Sequence, residues 1–120
     1  MASQAESPAT GSFIYSEARG TRSRENVVIA SGAGVIPAGR VLGKITAGGK
    51  YDNYRSDNAP AGVSTVTGVL YAEVDATSAD QNAVMIARDA EVVSARVTTE
   101  VAGDKAASTT GLATLGVIVR

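Results

Sequence analysis

Histidine and cysteine are both absent from the 120 residues. The chain therefore lacks the commonest general base, the commonest metal-binding imidazole and every thiolate. Serines and threonines are plentiful, but without a G-x-S-x-G elbow or a histidine, nothing marks one as an activated nucleophile. Carboxylates could serve as an acid–base pair or hold calcium, and Glu73, Asp75 and Asp80 lie close in sequence. They lack the alternating ligands, the turn glycine and the terminal glutamate of a calcium loop. Glycoside cleavage needs two carboxylates and usually aromatic platforms for the sugar, and one Phe, four Tyr and no Trp are few. Gly32 and Gly34 make G-x-G, but Pro37 occupies the place of the third glycine of a dinucleotide fingerprint. Gly43-Lys44 is followed by Ile45, not Ser or Thr, so the phosphate-loop pattern fails as well. Both glycine groups read as turns and tight strand packing. The sequence therefore assigns no catalytic residue, no metal ligand and no cofactor, and the chain reads as a non-enzyme.

The remaining chemical cluster is basic. Arg19, Arg22 and Arg24 stand close to Tyr15. Three arginines give little affinity for phosphate at physiological salt, and the whole chain is nearly balanced, with 11 basic and 12 acidic residues. Arginine also serves protein interfaces through bidentate pairing with carboxylates. Protein contact is therefore the favoured reading, with no nucleic-acid partner. A membrane partner is not expected either, because no apolar run approaches the ~20 residues that span a bilayer. Residues 1–8 lack the basic start and apolar stretch of a signal peptide, so the expectation is a chain that begins near residue 1 and stays soluble in the cell that makes it.

The elements that would position these residues are mostly strands. A hydrophobic fraction of 44% with only 4% aromatic residues means a core of Val, Ile, Leu and Ala. Residues 1–24 read as an N-terminal arm, in which only Phe13-Ile14-Tyr15 is strongly apolar and is free to dock elsewhere. Residues 25–120 read as one β-rich domain. Val27–Ala30 is a β-branched run that favours a strand. Ile36-Pro37-Ala38-Gly39 fits a type I turn with Gly at the fourth position. Val41–Thr46 reads as a strand with Val41, Gly43 and Ile45 on one face, and Gly48-Gly49 as the turn of a hairpin returning through Lys50–Tyr54. Ser56–Ser64 reads as loop. Thr65–Val74 is the longest strand expected, central because both faces are apolar. Ala83–Ala87 reads as a buried strand, Arg88–Ala90 as a turn, and Glu91–Thr98 as a strand with Val93, Ala95 and Val97 inward. Asp104 is a candidate N-cap for a short helix over Lys105–Thr110, ended by Gly111. Leu115–Arg120 reads as a strand paired into a sheet. The fold class is mainly β with little helix, compact and single-domain, with an α+β arrangement left open.

Several stretches resemble the bacteriophage head decoration family, the group containing the lambda capsid-stabilising protein. They are Tyr15–Glu25, Ile36–Thr46, Gly68–Tyr71, Val84–Val92 and Leu115–Arg120. Their order and spacing are more specific than any one of them. At Thr99–Gly103 the chain departs from the Trp-Pro that related chains often carry. The resemblance implies a homotrimer at three-fold positions on the outer surface of an expanded phage head, with the major capsid protein as partner. It implies a virion location, after assembly in the host cytoplasm. It also implies an arm that contacts the capsid, for which Phe13, Ile14, Tyr15, Arg19, Arg22 and Arg24 are the candidates. Such a subunit would clamp the head against internal DNA pressure. The competing readings are a tail or fibre module and a sugar-binding β domain.

Overall fold

The structure, a computed structural model, describes residues 9–120. Ten short strands and one helix follow in chain order: β1 (Ile14–Glu17), β2 (Arg24–Ile29), β3 (Gly34–Ile36), β4 (Val41–Lys44), β5 (Tyr51–Asn53), β6 (Val66–Leu70), β7 (Val74–Ala76), β8 (Gln81–Ile86), β9 (Ala90–Val92), α1 (Lys105–Leu115) and β10 (Val117–Val119). They form three pairing groups. Strands β2, β5, β4, β6 and β8 close into a barrel, β3 pairs with β7, and β1, β9 and β10 form a three-stranded sheet in that order. The chain is thus mainly β with one helix, as its composition implied.

The barrel strands explain their own sequence. Neighbouring residues along a strand point to opposite faces, and here each face meets a different apolar cluster. Val41, Val69 and Ile86 join the cluster that contains Phe13, Val92 and Leu112. Their neighbours Leu42, Leu70 and Met85 join the cluster that contains Ile29, Ile36 and Ala76. Burial on both faces calls for continuous apolar runs rather than alternation. The first cluster ties the barrel to the three-stranded sheet under α1, and the second ties it to the β3–β7 pair.

The Gly48-Gly49 hairpin is present: both glycines have positive φ, +88° and +70°, and β4 pairs antiparallel with β5. Four local expectations shift. First, the turn after β3 spans Pro37–Arg40, closed by the Arg40 amide donating to the Pro37 carbonyl. Gly39 sits at its third position with φ +89°, the place where a type II turn needs glycine. Second, the strand expected over Thr65–Val74 is cut at Tyr71. The Tyr71 amide still donates to Val84 in β8, but its carbonyl accepts from Gly11, and the chain leaves the barrel to pair with β3. Third, the strand expected over Glu91–Thr98 stops at Val92. The Val93 amide still donates to the Phe13 carbonyl and the Ser94 amide to that of Arg120, but Ser94–Arg96 then forms a 3₁₀ turn that leaves Ala95 exposed, Val93 half-buried and Val97 buried. Fourth, Gly111 does not end the helix. A Cβ at Gly111 would lie 2.6 Å from Val66 Cγ2, so the glycine lets α1 rest on β6. The helix ends one turn later at Gly116, whose φ of +85° is left-handed.

The expected arm divides. Residues 1–8 lie outside the described residues. Beyond them the chain belongs to the folded body: Phe13 is fully buried in the first cluster, and β1 runs antiparallel to β9.

Candidate interaction surface

Strand β1 is an edge strand, held on one side by β9. Phe13 anchors its start, and the Phe13 carbonyl accepts from the Val93 amide. The pairing slips between Ile14 and Ser16, a bulge of the kind that re-aims side chains at sheet edges. The result separates three consecutive apolar residues. Phe13 is buried, Ile14 is half-buried against the first cluster, and Tyr15 is 69% exposed. Of the three, only the Tyr15 side chain is largely exposed.

The three arginines separate in the same way. Arg24 is used internally. Its Nη2 donates to Glu17 Oε1 at 2.6 Å and its Nε donates to Glu17 Oε2 at 3.2 Å, while Ser23 Oγ also donates to Oε2 at 2.6 Å. The guanidinium lies 4.2 Å from the Tyr71 ring centre, a cation–π distance. The Arg24 hydrogen bonds hold the Glu17 carboxyl below the ordinary carboxylate range, against the opposing effect of burial. This fork closes the loop that carries Arg19 and Arg22 outward. Arg22 Nε stands 3.5 Å from Asp89 Oδ2, with both side chains more than half exposed, and its carbonyl accepts from Arg88 Nη1. Arg19 is exposed.

Residues that sequence reasoning did not assign complete this surface. Strand β10 runs parallel to β9 and forms the other edge of the sheet. Ile118 on it is 45% exposed. Arg120 Nη2 donates to Glu91 Oε1 at 3.0 Å. A shallow recess lined by Ser16, Glu17, Arg22, Asp89, Glu91 and Ile118, among others, crosses the sheet. The C-terminal apolar run announced a strand, but no local signal says which strand it joins. Open shape, a few apolar side chains (Ala18, Ala90 and Ile118) and charges of both signs suit a protein surface better than an enclosed small molecule.

The candidate acidic cluster does not assemble. Asp75 Oδ1 accepts from the Thr77 amide and hydroxyl. Asp80 accepts from the Ser31 amide and from Lys50 Nζ. These bonds, the Thr77 hydroxyl foremost for Asp75 and Lys50 for Asp80, hold both carboxyls below their ordinary range. Among the described residues, no group of three or more acidic side chains is arranged to hold a metal ion, and no helix is long and apolar enough to cross a membrane. Asp104, the candidate N-cap, makes no capping bond. Its carboxylate accepts instead from the Ser56 amide at 3.0 Å and the Ser56 hydroxyl at 2.7 Å, pinning the loop after β5 to the start of α1.

The model of one protein family matches residues 3–117, and its description is bacteriophage lambda head decoration protein D. No curated protein and no solved structure matches the chain.

Proposed function

Since the chain belongs to the bacteriophage lambda head decoration protein D family, and so to the structural proteins of the phage capsid, we propose that it binds the outer surface of the expanded head and holds neighbouring capsid subunits together against the pressure of packaged DNA. The observation that carries this reading is the family match over nearly the whole chain. The edge strand β1 supports it: an unpaired strand edge can accept or extend a partner's sheet through backbone hydrogen bonds. In this reading β1 and the loop that follows it, with Tyr15, Arg19 and Arg22, contact the major capsid protein. Phe13, Ile14 and Arg24 set that contact from behind. Three copies gather at each three-fold position, so that each contact is reinforced by its neighbours at high effective concentration.

The test adds purified protein to expanded, undecorated heads and reconstructs them by cryo-electron microscopy. The expected result is density in threes on the outer surface, and full heads that survive treatments that burst undecorated ones. Heads that stay bare at saturating protein would overturn the reading.

A further inference from the structure

Arg40, just before β4, and Asp52, in β5, are two half-buried charges, and neither has an opposite charge within salt-bridge distance among the described residues. Arg40 donates from Nε to Thr98 Oγ1 at 3.1 Å and from Nη1 to Asn53 Oδ1 at 2.9 Å. Both acceptors are neutral. Asp52 Oδ1 accepts from the Asn53 amide at 2.6 Å and from Asn53 Nδ2 at 3.3 Å. Asn53, itself buried, thus orients a cation and an anion without pairing them. The nearest other ions are already engaged: Arg55 binds both Asp57 and Glu100. Desolvation disfavours both charges, lowering the Arg40 pKa and raising that of Asp52. Partial burial of an unpaired charge costs free energy that an opposite charge would offset. An arginine held in place by two hydrogen bonds loses little further freedom on binding a carboxylate.

We propose that the Arg40–Asn53–Asp52 strip is a contact between copies of this chain, with Arg40 of one copy pairing with Asp52 of the next around the three-fold axis. Charge complementarity argues for a second copy as the occupant. A ring built head to tail needs a donor patch and an acceptor patch on every subunit, and this strip carries one of each. Three such pairs then neutralise six half-buried charges. The inference rests on the reading that copies assemble in threes, and it names the residues that make them do so.

The experiment compares the wild type, Arg40→Glu, Asp52→Arg, the double exchange, and Asp52→Asn on expanded heads and in solution. Three-copy assembly is read by reconstruction and by native mass spectrometry, and subunit folding by thermal melting. Each single reversal should reduce three-copy occupancy at least tenfold, and the double exchange should restore most of it, because it rebuilds the ring with opposite polarity. Asp52→Asn separates assembly from folding if a reversal fails to fold. A carboxyl with a raised folded pKa stabilises below its unfolded pKa and loses that contribution as pH rises through the folded value. Removing the charge should therefore raise the melting temperature of the isolated subunit at neutral pH while weakening assembly. If the wild type gathers in threes but the single reversals or Asp52→Asn do so equally well, or if the double exchange is no better than its parents, this contact is wrong and the assembly reading stands. If the wild type never gathers in threes, the assembly reading fails and takes the contact with it.

Discussion

The barrel and the three-stranded sheet are both built from short strands, yet they treat their edges in opposite ways. The barrel closes β2, β5, β4, β6 and β8 on one another, so it offers no edge for another chain to extend. The sheet leaves β1 and β10 as terminal strands, and each carries an exposed apolar side chain, Tyr15 and Ile118. Open edges are a hazard in a solitary protein and an asset in one that must join a lattice. The two regions share one cluster, in which Phe13 and Val92 from the sheet meet Val41 and Ile86 from the barrel. The closed region therefore supplies the rigidity on which the open one is displayed.

Phe13 is the side chain through which that coupling can be broken most severely. It is fully buried and is the only phenylalanine. Replacing it with alanine removes a large group from between sheet and barrel. Phe→Ala at such a site typically costs about 3–5 kcal/mol, which should appear in denaturant unfolding as a large fall in the midpoint. If Phe13 acted mainly as a docking residue, the unfolding midpoint would stay near that of the wild type and only head binding would fall.

A second break lies inside the barrel. A Cβ added at Gly68 would sit 2.5 Å from both the Ile86 carbonyl oxygen and Met85 Cγ, closer than ordinary atoms pack. Gly68→Ala should force β6 away from β8, with a loss of about 1–3 kcal/mol by the usual cost of overpacking. The same exchange at Gly20, where no atom lies within 4 Å but φ is +67°, should cost less, about 1 kcal/mol from backbone strain alone. Equal losses at the two positions would show that the barrel tolerates expansion.

The contrast also explains what could be read beforehand. The barrel strands β4, β6 and β8 were legible as apolar runs, because burial on both faces writes itself into adjacent residues such as Val41-Leu42 and Val69-Leu70. The Gly48-Gly49 turn was legible because positive φ is a local requirement. Features set by distant partners were not. Nothing near Tyr71 announces that the chain changes sheets there, since apolar alternation continues through Val74. Gly111 carries the ordinary signature of a helix end, and only the approach of Val66 turns it into a packing glycine. Phe13-Ile14-Tyr15 has the composition of a detached arm. Its role in the core depends on β9, some 75 residues later in the chain, a pairing that no local pattern encodes. The candidate surface suffered most, because Asp89, Glu91 and Ile118 are brought beside Arg22 by the pairing of β9 with β1 on one side and β10 on the other.

The Glu17–Arg24 fork sharpens the comparison through pH. It sits where the sheet meets the barrel, and its folded carboxyl lies below the ordinary range chiefly because of Arg24. A carboxylate with a lowered folded pKa contributes stability above its unfolded value and loses it as pH falls through the folded one. Acidification from about pH 5 should therefore loosen β1 before the barrel yields. Hydrogen exchange should register earlier loss of protection at β1 than at β4 and β6. In Glu17→Gln the acid limb of the stability curve should be flatter than in the wild type. Simultaneous loss of protection in both regions would mean that the fork does not govern the edge.

The smallest effect on stability belongs to Tyr15, and it isolates the display function from the scaffold. The side chain is 69% exposed and sits on the one strand of its sheet that enters the fold from the N-terminal side. Truncating an exposed residue without special backbone geometry or buried partners normally changes stability by no more than about 0.5 kcal/mol. Tyr15→Ala should therefore melt with the wild type. At an interface the same ring would be covered, and aromatic rings rank among the side chains whose loss costs binding most. Decoration of expanded heads should consequently require a higher protein concentration, by about tenfold for a loss of 1.4 kcal/mol. Arg24→Lys supplies the converse control, since it leaves Tyr15 in place but gives up the bidentate fork that fixes the neighbouring loop. Unchanged decoration by Tyr15→Ala, with Arg24→Lys impaired, would move the capsid contact from the β1 edge to the Arg19–Arg22 loop.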